Sequence, residues 1–134
     1  MAKKSGTIYH GKIINASALH RRVWSLLREL FPQYTLLENE PVEVHLGGRD
    51  TTLYIDVLVK ELGLAVEAHG RQHFEPVAHF HQGRKGFGES VQRDQAKAQA
   101  IEQAGLSYLM IPYTEEQTLT SAKLLKRINK AIGA

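Results

Sequence analysis

The chain has 134 residues and no cysteine, a length typical of one domain and a composition that excludes disulfides, thiolate metal sites and a cysteine nucleophile. Seventeen Lys and Arg against fourteen Asp and Glu give a net charge of +3, too small by itself to indicate a nucleic-acid partner. No apolar stretch reaches the roughly 20 residues that span a bilayer, and none follows the first lysines as a secretory leader requires. We therefore expect a cytoplasmic protein without membrane association.

The N-terminal part of the chain combines a basic segment with the first predicted helix. Residues 1–15 are expected to form an irregular basic arm, ahead of a single domain over residues 16–134. Apolar residues recur at helical spacing from residue 16 to residue 30. Asn15 or Ser17 can cap the start of this helix, and Pro32 ends it.

The middle of the chain has the composition of β-strands, with many β-branched and aromatic residues. Strands are expected at residues 34–37, 42–46, 51–59 and 64–69. The sequence Gly47-Gly48-Arg49-Asp50 indicates a turn, and Glu61-Leu62-Gly63 indicates the hairpin turn between the last two strands.

The second half of the chain predicts a loop, two helices and a strand. Residues 74–89 are expected to form a long, functional or mobile loop. A helix is expected at residues 90–104 and a strand at 106–111, and Thr114-x-x-Gln117 has the pattern of a capping box that begins the last helix. The order predicts an α/β fold with a mixed central sheet of about four strands flanked by helices (α-β-β-β-α-β-α).

The two central strands place acidic residues opposite each other. With residues 60–63 as the loop, Asp56 lies opposite Glu67 and Tyr54 lies opposite His69. Because side chains alternate between the two faces of a strand, Asp56, Glu67 and His69 are expected to project from the same face.

A pair of carboxylates in an apolar sheet needs compensation. The two charges repel across the strands, and each is costly to bury without a partner. A hard divalent cation removes both problems, since Mg²⁺ binds one or two carboxylates together with waters and phosphate oxygens. We therefore predict Asp56 and Glu67 to be ligands of Mg²⁺ or Mn²⁺. A Lys or Arg ion pair, or a half-solvated polar face, would be the alternative explanation.

Two histidines follow the acidic pair in the stretch Glu67-Ala68-His69-Gly70-Arg71-Gln72-His73. They are candidates for metal ligands, supports of the ligands or general bases. On the next predicted helix Asp94 and Lys97 share a face, so Asp94 could orient a histidine and Lys97 could contact phosphate. The alternative is a surface ion pair.

Basic and aromatic side chains near this stretch are candidates for nucleic-acid contact. Phosphate contact by Arg84 and Lys85, with Phe80 or Phe87 stacking on bases, is a known binding mode. The alternative is a polar loop whose phenylalanines fold inward. The predicted DNA-contacting set consists of Arg71, Arg84, Lys85, Phe87, Arg93 and Lys97.

The acidic motif has a family resemblance. Asp56 followed by Glu67-x-His69 resembles the PD-(D/E)XK restriction-endonuclease-like superfamily, with His69 in place of the family lysine. The stretch from Val66 to His73, then Arg93-Asp94-x-x-Lys97 and Leu109-Met110-Ile111-Pro112-Tyr113, resembles the branch that contains very-short-patch repair (Vsr-type) nicking endonucleases. Related phage-encoded and homing endonucleases share it. The resemblance covers about residues 16–113 of this chain.

The resemblance implies a restriction-endonuclease-like core and a role for each catalytic residue. Asp56 would be the main metal ligand and Glu67 a second, directly or through water. His69 and His73 would serve catalysis, one as general base or leaving-group helper, and Asp94 would support a histidine. The chain departs from the pattern at His20, where many relatives carry a glutamate on the first helix, and its histidine pair is one residue narrower.

Three functions compete at this point. The first is a Mg²⁺-dependent DNA endonuclease, a nickase or a double-strand cutter, that hydrolyses phosphodiester bonds through metal-activated water. It would act in the cytoplasm (of the host, if the chain is phage-encoded), as a monomer or a homodimer. The second is an inactive DNA-binding module with the same fold, which would have no reason to keep two repelling acids. The third is a zinc hydrolase that uses His69, His73, His79 and His81.

Overall fold

The computed structural model describes residues 6–9, 12–15, 17–75 and 84–133, with side chains over 17–75 and 86–133. The described strands are β1 (Gly6–Tyr9), β2 (Lys12–Asn15), β3 (Leu36–Leu46), β4 (Arg49–Val59), β5 (Leu64–His69) and β6 (Ser107–Pro112). The described helices are α1 (Ala18–Leu30), α2 (Arg84–Gln103) and α3 (Ser121–Ile132). Strands β3-β4-β5-β6 form a mixed sheet in that order, antiparallel except for the parallel pair β5–β6. The predicted α/β fold with a four-stranded sheet and flanking helices is confirmed.

The N-terminal segment departs from the predicted irregular arm. Strands β1 and β2 pair antiparallel, from Gly6 opposite Asn15 to Tyr9 opposite Lys12. The alternation that would identify strands is hidden here, because lysines and glycines surround two very short apolar runs. The expectation of an irregular segment is therefore wrong for the described residues.

Helix α1 follows the predicted amphipathic pattern. The Ser17 hydroxyl accepts a hydrogen bond from the His20 amide at 3.0 Å and caps the helix, as one of the two predicted caps would. The helix ends at Leu30, two residues before Pro32. Its buried residues are Leu19, Val23, Leu26 and Leu27.

Strand β3 is one long strand instead of the two short ones that were predicted. It pairs with β4 through a two-residue turn at Gly47 and Gly48, whose φ angles are 62° and 80°. Positive φ at both turn residues is the geometry that suits a tight hairpin and favours glycine. The pairing is interrupted at Asn39, whose φ of 54° places it in the left-handed region.

Two clusters of buried side chains lie on opposite faces of the sheet. The larger one is covered by α1 and α3 and consists of Leu19, Val23, Leu26, Leu27, Val57, Val59, Leu64, Val66, Leu109, Ile111, Leu119, Leu124 and Ile128. The smaller one lies under α2 and consists of Ile55, Ala65 and Ile101, with Val42, Leu58, Leu106 and Tyr108 packed against it.

The alternation of faces breaks within β4. Ile55 packs on the α2 side, whereas Val57 and Val59 pack on the α1/α3 side. Regular alternation would put these odd-numbered residues on one face, so the strand changes phase at Asp56. This is the point that the β3 pairing leaves open at Asn39.

Helix α2 begins earlier than predicted, at Arg84 instead of residue 90. The expectation of a loop over residues 74–89 is therefore wrong for residues 84–89, while residues 76–83 lie outside the described part. Glycine costs up to about 1 kcal/mol in a helix, and Gly86 and Gly88 made this segment look irregular. They extend a helix that is otherwise rich in good helix formers.

The last helix begins later than the predicted capping box. The Thr120 hydroxyl accepts from the Lys123 amide at 3.2 Å and caps α3. The predicted cap, Thr114, lies instead in a 3₁₀ turn over Tyr113–Glu115. Among the described helices, none has the length and apolar character needed to cross a membrane.

Candidate metal centre at the ends of strands β4 and β5

The site forms where strands β4 and β5 separate. Their ladder runs only from Val57–Val66 to Val59–Leu64, which is the register predicted from the loop of residues 60–63. Tyr54 and His69 are not paired, so that part of the prediction is wrong. Past the ladder, the described backbone is held by side chains instead of by strand-to-strand hydrogen bonds.

Asp56 and Glu67 supply the side chains that join the separated strands. The Asp56 amide donates to Glu67 Oε2 at 2.7 Å, and the Ala68 amide donates to Asp56 Oδ2 at 2.8 Å. Each acid thus accepts a backbone hydrogen bond from the partner strand. The two carboxylates thus come together as predicted, although Asp56 and Glu67 are not paired in the ladder, and the hydrogen bonds fix one oxygen of each.

Lys97 reaches this pair from α2. Its ammonium contacts Glu67 Oε1, and the Lys97 and Glu67 side chains are 14% and 2% exposed. The alternative of an internal ion pair is therefore realised for Glu67. Sequence reasoning had placed Lys97 on phosphate, because spacing along a helix does not reveal which neighbour a long side chain meets.

The two carboxyl groups titrate in opposite directions. Burial, followed by the negative charge of Glu67, raises the pKa of Asp56 against the opposing effects of Lys97, His20 and the Ala68 amide. Burial also opposes ionisation of Glu67, but His69, Lys97 and the Asp56 amide outweigh it and lower the pKa of Glu67. The surrounding groups therefore compensate the negative charge of Glu67 more fully than that of Asp56.

A second layer of polar groups lies behind Asp56. His20 Nε2 lies 3.1 Å from Glu38 Oε2, and His20 Nδ1 lies 3.9 Å from Asp56 Oδ1. Glu38 was not predicted as a site residue. The available signal was its position in the strand beside β4, close to the acid that the hairpin register singles out.

His69, His73 and Asp94 form a second group next to Glu67. The two imidazole rings stack with centroids 4.0 Å apart, and His73 Nδ1 lies 2.7 Å from Asp94 Oδ2. His69 Nε2 is 3.9 Å from Glu67 Oε1, beyond hydrogen-bond distance. One donor atom from each of the three lies within 4.8 Å of the others, which is compact enough for a shared cation.

Aromatic residues border the histidines. Phe74 is 43% exposed and packs its ring 6.3 Å from that of His69 and 5.7 Å from that of Tyr113.

The acidic residues of the site also act on Tyr108. Burial, and then the charges of Glu67, Asp94 and Asp56, raise the pKa of the Tyr108 phenol. Three carboxylates thus lie close to this phenol, and their oxygen atoms are of the type that binds a hard divalent cation.

The structure describes the side chains of four of the six residues predicted to contact DNA, namely Arg71, Phe87, Arg93 and Lys97. Arg71 Nε pairs with Glu75 at 2.8 Å on the surface, Arg93 is exposed on α2, and Phe87 is half-buried. Arg84 and Lys85 lie in the first turn of α2, with side chains outside the described part. His79 and His81, two of the predicted zinc ligands, also lie outside it.

Comparison with known proteins gives two partial matches. No protein-family model matches the chain. It is 38% identical over 63 residues to an uncharacterized protein, 094L, of frog virus 3 (isolate Goorha), a match that covers 46% of this chain and 41% of that protein. It is 32% identical over 62 residues to uncharacterized protein 307L of invertebrate iridescent virus 6, covering 46% of this chain and 32% of that protein. The match thus spans less than half of either relative, and neither name states an activity.

Proposed function

We propose that the protein is a divalent-metal-dependent endonuclease that hydrolyses phosphodiester bonds of DNA. The observation that carries this proposal is that Asp56 and Glu67 meet across separated strands, with the charge of Asp56 less fully compensated than that of Glu67. Burial and the charge of Glu67 raise the pKa of Asp56, whereas contacts with His69 and Lys97 outweigh burial and lower the pKa of Glu67. Groups whose pKa values are driven apart in this way are typical of sites that do chemistry.

The cation would be Mg²⁺ or Mn²⁺, held by Asp56 directly and by Glu67 directly or through water. Carboxylate oxygens suit hard divalent ions, and Asp56 is the acid whose negative charge is poorly compensated. Such an ion supplies charge neutralisation at the phosphate and a water of lowered pKa. The Lys97 ammonium already contacts Glu67 Oε1, so Asp56 is the stronger ligand of the two.

The protein's own groups would position and protonate the substrate. Lys97 lies next to the paired acids, where its ammonium can bind a non-bridging phosphate oxygen as well as Glu67. Asp94 accepts a hydrogen bond from His73 Nδ1–H, a tautomer inferred from the 2.7 Å distance. That bond leaves His73 Nε2 available to accept a proton from water or to deliver one to the leaving oxygen.

The proposal is tested with supercoiled plasmid incubated with Mg²⁺, Mn²⁺ or a chelator. We expect metal-dependent conversion to open circles if the enzyme nicks, or to linear DNA if it cuts both strands. Asp56→Asn should lower the rate at least about a hundredfold. The matched control is Asp50→Asn, the same chemical change at an exposed residue of the β3–β4 hairpin.

The outcome against the proposal is equally specific. If wild-type protein leaves plasmid, mismatched and branched DNA uncut with either metal, the endonuclease proposal fails. If it cuts structured RNA and no form of DNA, the substrate class is wrong.

A second candidate is a DNA-binding module without catalysis. It is favoured by the contact between Lys97 and Glu67, which supplies a cation from the protein itself. Such a module would shift duplex or branched DNA in a gel with strong salt dependence. Asp56→Asn would leave that shift unchanged, and no metal would produce cutting.

A zinc hydrolase is a third candidate, favoured by the gathering of His69, His73 and Asp94. Imidazole nitrogens with a carboxylate suit Zn²⁺. Elemental analysis of the purified protein distinguishes it, because a zinc hydrolase would retain one equivalent of zinc through dialysis. A magnesium enzyme would retain none.

A further inference from the structure

A groove of about 550 Å³ lies between the tip of the β3–β4 hairpin and helix α2, and neither Asp56 nor Glu67 is among its lining residues. Its sheet side carries Arg49 and Thr51, and its helix side carries Glu89, Gln92 and Arg93. Two guanidinium groups face one carboxylate in this lining, so the groove is cationic. Sequence reasoning had included Arg93 among DNA-contacting residues but had treated Arg49 only as part of a turn.

Arg49 and Arg93 are both exposed. Among the residues that the structure describes, neither Arg49 nor Arg93 forms an ion pair, whereas Arg71 pairs with Glu75 and Arg127 with Glu115. Because the lining holds two guanidinium groups and one carboxylate, that of Glu89, the groove attracts a further anion. The planar guanidinium matches phosphate oxygens with paired hydrogen bonds.

The groove adjoins the candidate metal centre through α2. Arg93 directly precedes Asp94, and it lies one helical turn before Lys97, roughly 6 Å along the helix axis. A strand whose phosphate reached Lys97 would therefore pass Arg93 before it left the protein. Thr51 and Gln92 add uncharged donors of the kind that contact phosphate and sugar.

We propose that this groove binds the phosphodiester backbone of DNA beside the cleaved bond. The inference rests on the proposed function and deepens it, because it assigns Arg49 and Arg93 to a phosphate track outside the catalytic centre. Arg49 lies on the hairpin and Arg93 on the helix, so the two arginines would contact the DNA backbone from opposite sides of the groove.

The test measures binding of a fluorescent duplex by the whole chain, in chelator, at several salt concentrations. The double variant Arg49→Gln/Arg93→Gln should bind roughly tenfold or more weakly at low salt. The slope of log K against log salt should fall by about 0.9 for each lost phosphate contact, hence by about 2. The matched control is Arg28→Gln/Lys126→Gln, which removes the same charge from exposed positions on α1 and α3.

The outcomes of this binding test decide the inference. A drop in slope for the groove variant and a near-normal slope for the control support it. Equal behaviour of the two variants overturns it while leaving the endonuclease proposal intact, provided the wild type still cuts plasmid. Wild-type protein that neither binds nor cuts DNA overturns both.

Discussion

The two faces of the central sheet differ in what they bury. The face under α1 and α3 is a continuous apolar layer, whereas the face under α2 has few fully buried aliphatic residues and also buries Glu67 and His69. Burial of apolar area is the dominant favourable term in folding, so stability comes mainly from the first face. The second face can then hold charged groups whose burial costs free energy.

The two faces of the sheet meet at Asp56. Strand β4 changes phase there, between Ile55 and Val57, and β3 has a positive φ at Asn39 on the adjacent strand. The phase change takes Asp56 out of the regular ladder and sets it beside Glu67. The comparison therefore predicts that substitutions on the two faces, and at their boundary, differ in sign as well as in size.

The largest effect is expected in the apolar layer. Leu27→Ala should cost about 4–5 kcal/mol of unfolding free energy, near the top of the range for buried aliphatic truncations. Ile101→Ala, equally buried but on the thinner face, should cost about 2–3 kcal/mol because its surroundings can collapse more easily. Urea denaturation measures both. Equal costs at unchanged m-values would break the comparison.

The next effect concerns the ion pair on the polar face. Lys97→Met leaves the buried Glu67 carboxylate without its cation and should destabilise the fold by about 3 kcal/mol. Because a divalent ion can replace that charge, Mg²⁺ should raise the melting temperature of Lys97→Met more than that of the wild type. Adding Glu67→Gln should recover most of the lost stability. Melting curves unaffected by Mg²⁺ would contradict a metal site here.

A smaller effect is expected at the boundary. Asn39→Val should cost about 1–2 kcal/mol, because a β-branched residue is strained in the left-handed region. Asn39→Gly adopts that conformation freely and should stay within about 0.5 kcal/mol of the wild type. Thermal melting gives the comparison. If valine is tolerated as well as glycine, the strand does not depend on this backbone angle.

The smallest effect is a gain in stability. The folded-state pKa of Asp56 is raised above its unfolded value, so its favourable contribution is present at acid pH and is lost as pH rises through the folded pKa. Asp56→Asn should therefore melt a few degrees higher than the wild type at pH 7–8, an effect of about 1 kcal/mol. The difference should vanish below about pH 4. If Asp56→Asn is less stable than the wild type at neutral pH, the pKa of Asp56 is not raised in the folded protein.

Local rules predicted much of the centre of this fold. The turn at residues 60–63 and the composition of the two central strands were sufficient to set Asp56 against Glu67. The late aspartate at 94 was predicted near a histidine, and it lies against His73. These relations depend on registers and short spacings, which are visible in sequence.

The remaining features depend on tertiary packing. The partner of Lys97 is determined by how α2 crosses the sheet, and the contact of His20 with Glu38 joins a helix to a strand eighteen residues later. The start of α2 was missed because Gly86 and Gly88 oppose helix formation locally. The start of α3 was predicted too early because Thr114-x-x-Gln117 has the pattern of a capping box, whereas the residue that caps the helix is Thr120.

The hydrogen bonds from the Asp56 and Ala68 amides to the opposite acids have an evolutionary consequence. Both carboxylates accept backbone hydrogen bonds, but only Glu67 also forms an ion pair with Lys97, so selection for folding alone would retain Glu67 in a lineage that had lost its chemistry. Survival of Glu67 in a descendant would then say little about turnover. Substitution of His73 or Asp94, which do not hold the strands together, would be an earlier sign that a descendant has lost its enzymatic activity.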